Sequence, residues 1–275
     1  MIKIIDIDSL FDAYISDYVY KNIGKVKPEE IENKIPQLYL EFGGQKLAEL
    51  DGKTPETYYK DFAVSDLLEC LKGHLEQGVP VSDFLCEAIT GDKDNQEELI
   101  GALSKAQDEE FILYLMNMLI EIASDKCFDK FLELILWDYS EPVKELATEY
   151  LKENASAVKG EILAQFDDCE QKVKEYLTEI LSGVKGDERV FNVLVEQFKL
   201  NKDKLPIYAS YLAKYGDERA IPILTEEIEN EKISYADFEE LRFAIEMLGG
   251  QYTKERDFSK DKTFRKIKGE KKQSK

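Results

Sequence analysis

From position 111 onward, apolar residues fall into columns that recur about every thirty-one positions. No other feature of the chain restricts its fold as strongly. One helical face holds Ile112, Leu115, Met116, Leu119, Ile120 and Ala123, and the next holds Val143, Leu146, Ala147, Tyr150 and Leu151. Then come Val173, Tyr176, Leu177, Ile180 and Leu181, followed by Tyr208, Tyr211, Leu212 and Tyr215, and finally Leu241, Ala244, Ile245 and Leu248. Each set has the three-and-four spacing of a buried helix face. The sets superpose with offsets of 31, 30, 31 and 33 residues, so that Ile120, Leu151, Leu181, Leu212 and Ile245 form one apolar column. Between them a second column aligns Phe131 with Ile162, Leu194 and Leu224, and a third aligns Ile135 with Phe166, Phe198 and Ile228. Each unit therefore reads as a helical hairpin that buries its apolar face by stacking on its neighbours.

The connections repeat as well. Gly186-Asp187-Glu188-Arg189 returns thirty residues later as Gly216-Asp217-Glu218-Arg219. Glycine is expected to close the first helix in a left-handed cap, and aspartate to cap the next at its positive end. The run Gly216-Asp217-Glu218-Arg219-Ala220-Ile221-Pro222-Ile223-Leu224 resembles the HEAT-like repeat family, in which an Arg-Ala-hydrophobic-Pro segment commonly follows the inter-helix aspartate. In pattern the resemblance covers residues 111–250, and it is close in residues only over the last two units. It implies an all-α fold, an α-α superhelix, and says little about activity.

Upstream, helical spacing continues without the period. Asp8 is a candidate cap for a helix with the face Phe11, Tyr14, Ile15 and Tyr18, and Pro28 opens another that is interrupted near Pro36. Leu67, Leu68, Leu71 and Leu75 form a strong later face. These features place an irregular helical domain at 1–106, HEAT-like repeats at 107–250, and a distinct tail at 251–275. Residues 254–275 carry ten basic side chains against four acids, a net +6 that leaves −26 on residues 1–253. With few large apolar residues, the tail is expected to be disordered and to fold back over acidic surface.

The whole chain of 275 residues has 37 Lys and Arg against 57 Asp and Glu, a net charge of −20. Unaided binding of the body to nucleic acid is not expected, because that affinity comes from basic contacts with phosphates. Four cysteines stand 16, 41 and 42 residues apart with no Cys-x-x-Cys pair, so they read as reduced thiols. The longest apolar stretch, 111–123, is interrupted by Asn117 and Glu121, and the N-terminus reaches Lys3 and Asp6 too early for a signal segment. The expectation is a cytoplasmic protein away from membranes.

Three clusters carry a trace of chemistry. Ile4-Ile5-Asp6-Ile7-Asp8-Ser9-Leu10 is similar to the first motif of haloacid-dehalogenase-type phosphatases, but no alternation of strands and helices follows it; a short extended start with a helix cap is the expectation. Gly52-Lys53-Thr54 matches the end of a phosphate-binding loop, yet position 47 is Leu where such a loop needs glycine. Cys70 and the lone histidine, His74, lie four apart on one helix face; core packing is the expected role, since a zinc site would lack a fourth ligand.

No convergent catalytic set emerges, and no catalytic residue, cofactor or metal is assigned. The repeat register instead singles out Glu133, Glu196 and Glu226, with Ala164 in the same row, two positions beyond the buried Phe131, Leu194 and Leu224. The family resemblance implies that second helices line a concave face, so these carboxylates would lie along it. Trp137, the single tryptophan, is a candidate anchor for a partner. The chain is thus read as a non-enzymatic protein-protein interaction module or scaffold. Two alternatives remain: an acidic immunity- or inhibitor-type protein for a basic partner, and an enzyme of the DNA glycosylase or lyase type found among HEAT-like proteins. The sequence leaves the oligomeric state open.

Overall fold

The structure, a computed structural model, describes residues 2–24 and 27–273. Among them every regular element is helical: seventeen α-helices and three short 3₁₀ turns. The chain divides into two compact units, Met1–Lys130 and Phe131–Lys275.

In the first unit, α1 (Ile7–Asn22) is capped by Asp6, whose carboxylate accepts the Ser9 N–H at 2.8 Å. Asp8, the candidate from spacing, sits in the first turn instead; Asp6 is the residue three positions before a free helical N–H. After α2 (Pro28–Glu32), helix α3 (Ile35–Gly43) brings Tyr39 and Phe42 onto Phe11, with ring centroids 4.9 and 5.3 Å away. Thr54 opens α4 (Pro55–Tyr58) in a capping box with Thr57. Helices α5 (Val64–Gln77), α6 (Asp83–Thr90) and α7 (Gln96–Leu103) then pack around α8 (Glu109–Glu121). Leu71, Leu85, Ile89, Leu99, Leu103 and Leu115 are sealed between them. Residue 106, the expected domain boundary, lies in the turn between α7 and α8, and these two helices pack on each other within one unit. In α8 the buried column slips by one residue. Leu119 is fully buried and Ile120 half-buried, because α8 is enclosed by three helices and its buried arc is rotated.

The division falls inside α9 (Phe128–Leu136). Beyond it run three hairpins: α10 (Glu141–Glu153) with α11 (Ala155–Gln165), α12 (Gln171–Leu181) with α13 (Glu188–Leu200), and α14 (Leu205–Tyr215) with α15 (Ala220–Ile228). Helix α16 (Tyr235–Met247) follows. Helix α10 packs on α12, α13 on α14, and both α14 and α15 on α16. Leu151, Leu181, Leu212 and Ile245 are fully buried, as are Phe131, Ile162 and Leu224. Each such burial contributes about 1.5–3 kcal/mol, so the repeating columns are the energetic basis of the stack.

The two glycine linkers differ. Gly216, at φ 82°, is the left-handed cap of α14, whereas α12 already ends at Ser182 and Gly186 serves the loop after it. Asp187 caps α13 as its spacing suggests, accepting the Arg189 N–H at 3.1 Å.

The segment after α16 departs from the expected disorder. Phe258 is buried, with its ring 5.3 Å from Tyr235 and 5.0 Å from Phe238, and Phe264 stacks edge-on against Tyr235. Helix α17 (Lys262–Gln273) then packs on α16. The net charge of the segment masks Tyr252, Phe258 and Phe264, which recur every six residues and cover α16. Its basic groups reach Glu229, through Lys254 at 2.5 Å, and the Asn230 carbonyl, through Arg256 at 2.6 Å. Its last two residues lie outside the described ones.

Candidate partner-binding surface

Glu133, Glu196 and Glu226 are all exposed, on α9, α13 and α15 respectively, and Ala164 is exposed at the equivalent place on α11. Two residues are about 200° of helical turn, so a position two beyond a buried one faces away from the core. Trp137 follows the last residue of α9 and donates its N–H to the Glu133 carbonyl at 3.1 Å. Its side chain is 65% exposed, an unusual state for so large an apolar group. Trp137 therefore stands one helical turn beyond Glu133.

Between the last two hairpins the Gly-Asp-Glu-Arg linkers build an ionic clasp. Arg219 binds Asp217 within its own linker at 2.7 Å and reaches back one repeat to Glu188 at 2.9 and 3.1 Å. Its guanidinium lies 4.4 Å from the centroid of Phe191. Asp187 is held well below the usual carboxylate range by hydrogen bonds from Arg189 and then from Lys159. Position 157, one repeat before Glu188, is Ala, so Arg189 has no counterpart of Glu188 to reach.

A cavity of about 190 Å³ opens on the first helices of the three hairpins. Its wall comes from the start of α10 (Glu141), from α12 (Lys172, Glu175, Tyr176, Glu179) and from α14 with the residue before it (Lys204, Ile207, Tyr208, Tyr211). Both Lys172 and the Tyr176 hydroxyl donate to Glu141, which lowers its pKa. Lys204 meets Glu175 at 2.6 Å, and Glu179 receives Lys152 at 2.8 Å and the Tyr211 hydroxyl at 3.3 Å. Burial, and then the adjacent Glu179, raise the pKa of the Tyr211 phenol. Tyr208 is 2% exposed and its hydroxyl has no hydrogen-bond partner. Sequence reasoning counted these tyrosines with the apolar faces and missed the cavity. The available signal was a tyrosine or lysine about one period after a glutamate: Lys172 after Glu141, Lys204 after Glu175, Tyr211 after Glu179.

The remaining motifs are absorbed by structure in the first unit. Asp6 and Asp8 mark the start of α1, with no strand among the described residues to carry a phosphatase nucleophile. Lys53 is bound by Asp61 at 2.9 Å and Thr54 caps α4, so neither is free to cradle phosphate. Cys70 and His74 are both buried, with Sγ and Nδ1 3.7 Å apart. Burial pushes the Cys70 thiol up to about 11, the opposite of what a nucleophile needs. The His74 ring spans two carbonyls, Nδ1 at 2.9 Å from Cys70 and Nε2 at 3.3 Å from Ile5, and ties the N-terminal segment to α5. Among the described residues no three His, Cys, Asp or Glu side chains are grouped to hold a metal, and no helix is long and apolar enough to cross a membrane.

No family model matches the chain, and no curated protein matches it.

Proposed function

We propose that the chain is a protein-binding module of HEAT-like hairpins whose partner is basic. The observation that carries this reading is an exposed Trp137 at the end of α9, one helical turn beyond the exposed Glu133. A large rigid aromatic beside a carboxylate suits a basic partner with an apolar contact point. The tryptophan supplies contact area at low entropic cost, and the acids steer the approach. Glu196 and Glu226 extend the acidic row at repeat-equivalent places, and the net charge of −20 has the sign that attracts such a partner. An immunity- or inhibitor-type role is one form of this reading, in which the basic partner is neutralised. A cytoplasmic setting fits four cysteines that stand as thiols.

Affinity capture with the intact chain, set beside a Trp137→Ala variant and a Glu133→Lys, Glu196→Lys, Glu226→Lys variant, tests the proposal. A basic protein should be retained by the first, weakly held by the second, and lost with the third. Equal capture by all three would remove this face from the interaction.

A further inference from the structure

Helix α16 leaves an apolar ridge uncovered. Glu239, Phe243 and Met247 stand four residues apart along it, in one of the rows that helices use to pack on each other. Phe243 and Met247 are 59% and 61% exposed, whereas Phe238, Leu241, Ala244, Ile245 and Leu248 of the same stretch are buried. The ridge borders a shallow groove shared with Glu240, Arg242 and Glu246. Arg242 binds Glu239 at 2.5 Å and approaches Glu246 at 4.0 Å, so one cation serves two carboxylates, and Glu240 has no ion pair with a described residue. Single exposed apolar side chains are ordinary, but two on successive turns in an acidic frame make a patch of definite character.

Helix α17 carries the counterpart. Lys262 with Lys266, and Thr263 with Ile267, form two parallel rows, and a shallow groove runs between them. Ile267 is 43% exposed. Lys262 and Lys266 are exposed as well, and neither is paired with a described carboxylate. The two helices are tied at their first turns. Asp261 accepts the N–H of Tyr235 at 3.3 Å and that of Phe264 at 3.0 Å, and the Phe264 ring lies 5.0 Å from the ring of Tyr235. The acidic ridge and the basic groove are therefore presented side by side, and the packing of α17 on α16 leaves both open.

We propose that these two faces join two copies of the chain in a symmetric dimer. The ridge of Glu239, Phe243 and Met247 of each copy lies in the α17 groove of the other, with Phe243 against Ile267 and Glu240 facing Lys262 and Lys266. A ridge of residues four apart, set into a groove between two such rows, is the commonest helix packing in globular proteins. A two-fold axis makes the contact twice, since one patch meets itself with the roles of its halves exchanged. Charge selects the occupant. The ridge and its flank hold three carboxylates against one arginine, and the groove holds two lysines with no carboxylate of their own. The dimer uses no residue of the Trp137 face, so it stands or falls apart from the partner proposed there.

The test follows the full chain by sedimentation velocity over a concentration series. The wild type should pass from monomer toward dimer between roughly 1 μM and 1 mM, the range of small interfaces. Phe243→Asp should weaken the dimer at least about tenfold, the size of an interface hot spot. Glu240→Lys, and separately Lys262→Glu with Lys266→Glu, should each weaken self-association several-fold by setting like charges against each other. Mixing these last two variants should restore the dimer. In the mixed pair one contact is wild type, and the other is reversed on both sides. Every substituted residue is exposed, so the variants keep the fold, as their circular dichroism will report. A wild type that stays monomeric throughout that range overturns the proposal. So does a dimer that Phe243→Asp leaves intact, or a mixture that associates no better than its two components alone.

Discussion

Arg219 holds the carboxylate of Glu188, thirty-one residues earlier, through both terminal nitrogens at 3.1 and 2.9 Å. The pair joins one hairpin to the next by a fork geometry that lysine could not reproduce. Because both groups face solvent, their coupling should be modest and sensitive to salt. A double-mutant cycle of Arg219→Gln and Glu188→Gln, followed by urea denaturation, should give a non-additive term that shrinks in 1 M salt. Arg219→Lys should behave almost like Arg219→Gln. A cycle that is additive at low salt would reduce the contact to a surface coincidence.

The apolar column predicts a much larger effect. Leu212 is fully buried in α14 between neighbouring helices. Leu212→Ala removes transfer energy and leaves a cavity, at a cost of about 2–5 kcal/mol. Leu212→Asp should abolish cooperative unfolding at ordinary temperature, since it places a charge where no partner can reach. An unaltered melting curve for the aspartate variant would contradict the packing described.

The columns were legible because helical period and repeat period act together. Leu151, Leu181, Leu212 and Ile245 could be aligned without knowing any contact, and all are fully buried. The exposure of Glu133, Glu196 and Glu226 follows from the same register. What lay beyond reach depends on contacts between side chains of different repeats. Tyr176, Tyr208 and Tyr211 match the apolar pattern, so their hydroxyls and the cavity that they line left no mark on periodicity. The segment after α16 misled for another reason. Its mean charge outweighs three aromatics that act locally, and burial of Phe258 depends on which rings await it.

That segment is open to a direct check. Phe258→Ala should destabilise the second unit by about 3 kcal/mol, the lower end for a buried phenylalanine, because it uncovers Tyr235 and Phe238. Removing residues 251–275 should do at least as much and should raise the binding of a hydrophobic dye. If deletion leaves the thermal midpoint unchanged, the segment is a free appendage.

Alkaline pH probes the tyrosines that the repeat buries. Burial first, then Glu175 and Asp203, push the phenol of Tyr208 up to about 12 in the folded chain, against about 10 for an unperturbed tyrosine. Below pH 10 both states hold the proton and the group has no effect on the slope. Between pH 10 and 12 the unfolded chain releases it while the folded chain keeps it, so stability falls as pH rises, by up to about 1.4 kcal/mol per pH unit for this one group. Tyr176 and Tyr211 are raised in the same direction, by burial and then by Glu141 and Glu179, and steepen the loss. Tyr208→Phe should therefore flatten the fall in urea midpoint measured from pH 9 to 11.5. At neutral pH the same change should raise stability by about 1 kcal/mol, because an unsatisfied hydroxyl is replaced by nothing. A variant less stable than wild type at neutral pH would mean that the hydroxyl has a partner in solution. An unchanged alkaline slope would mean that Tyr208 titrates like an exposed phenol.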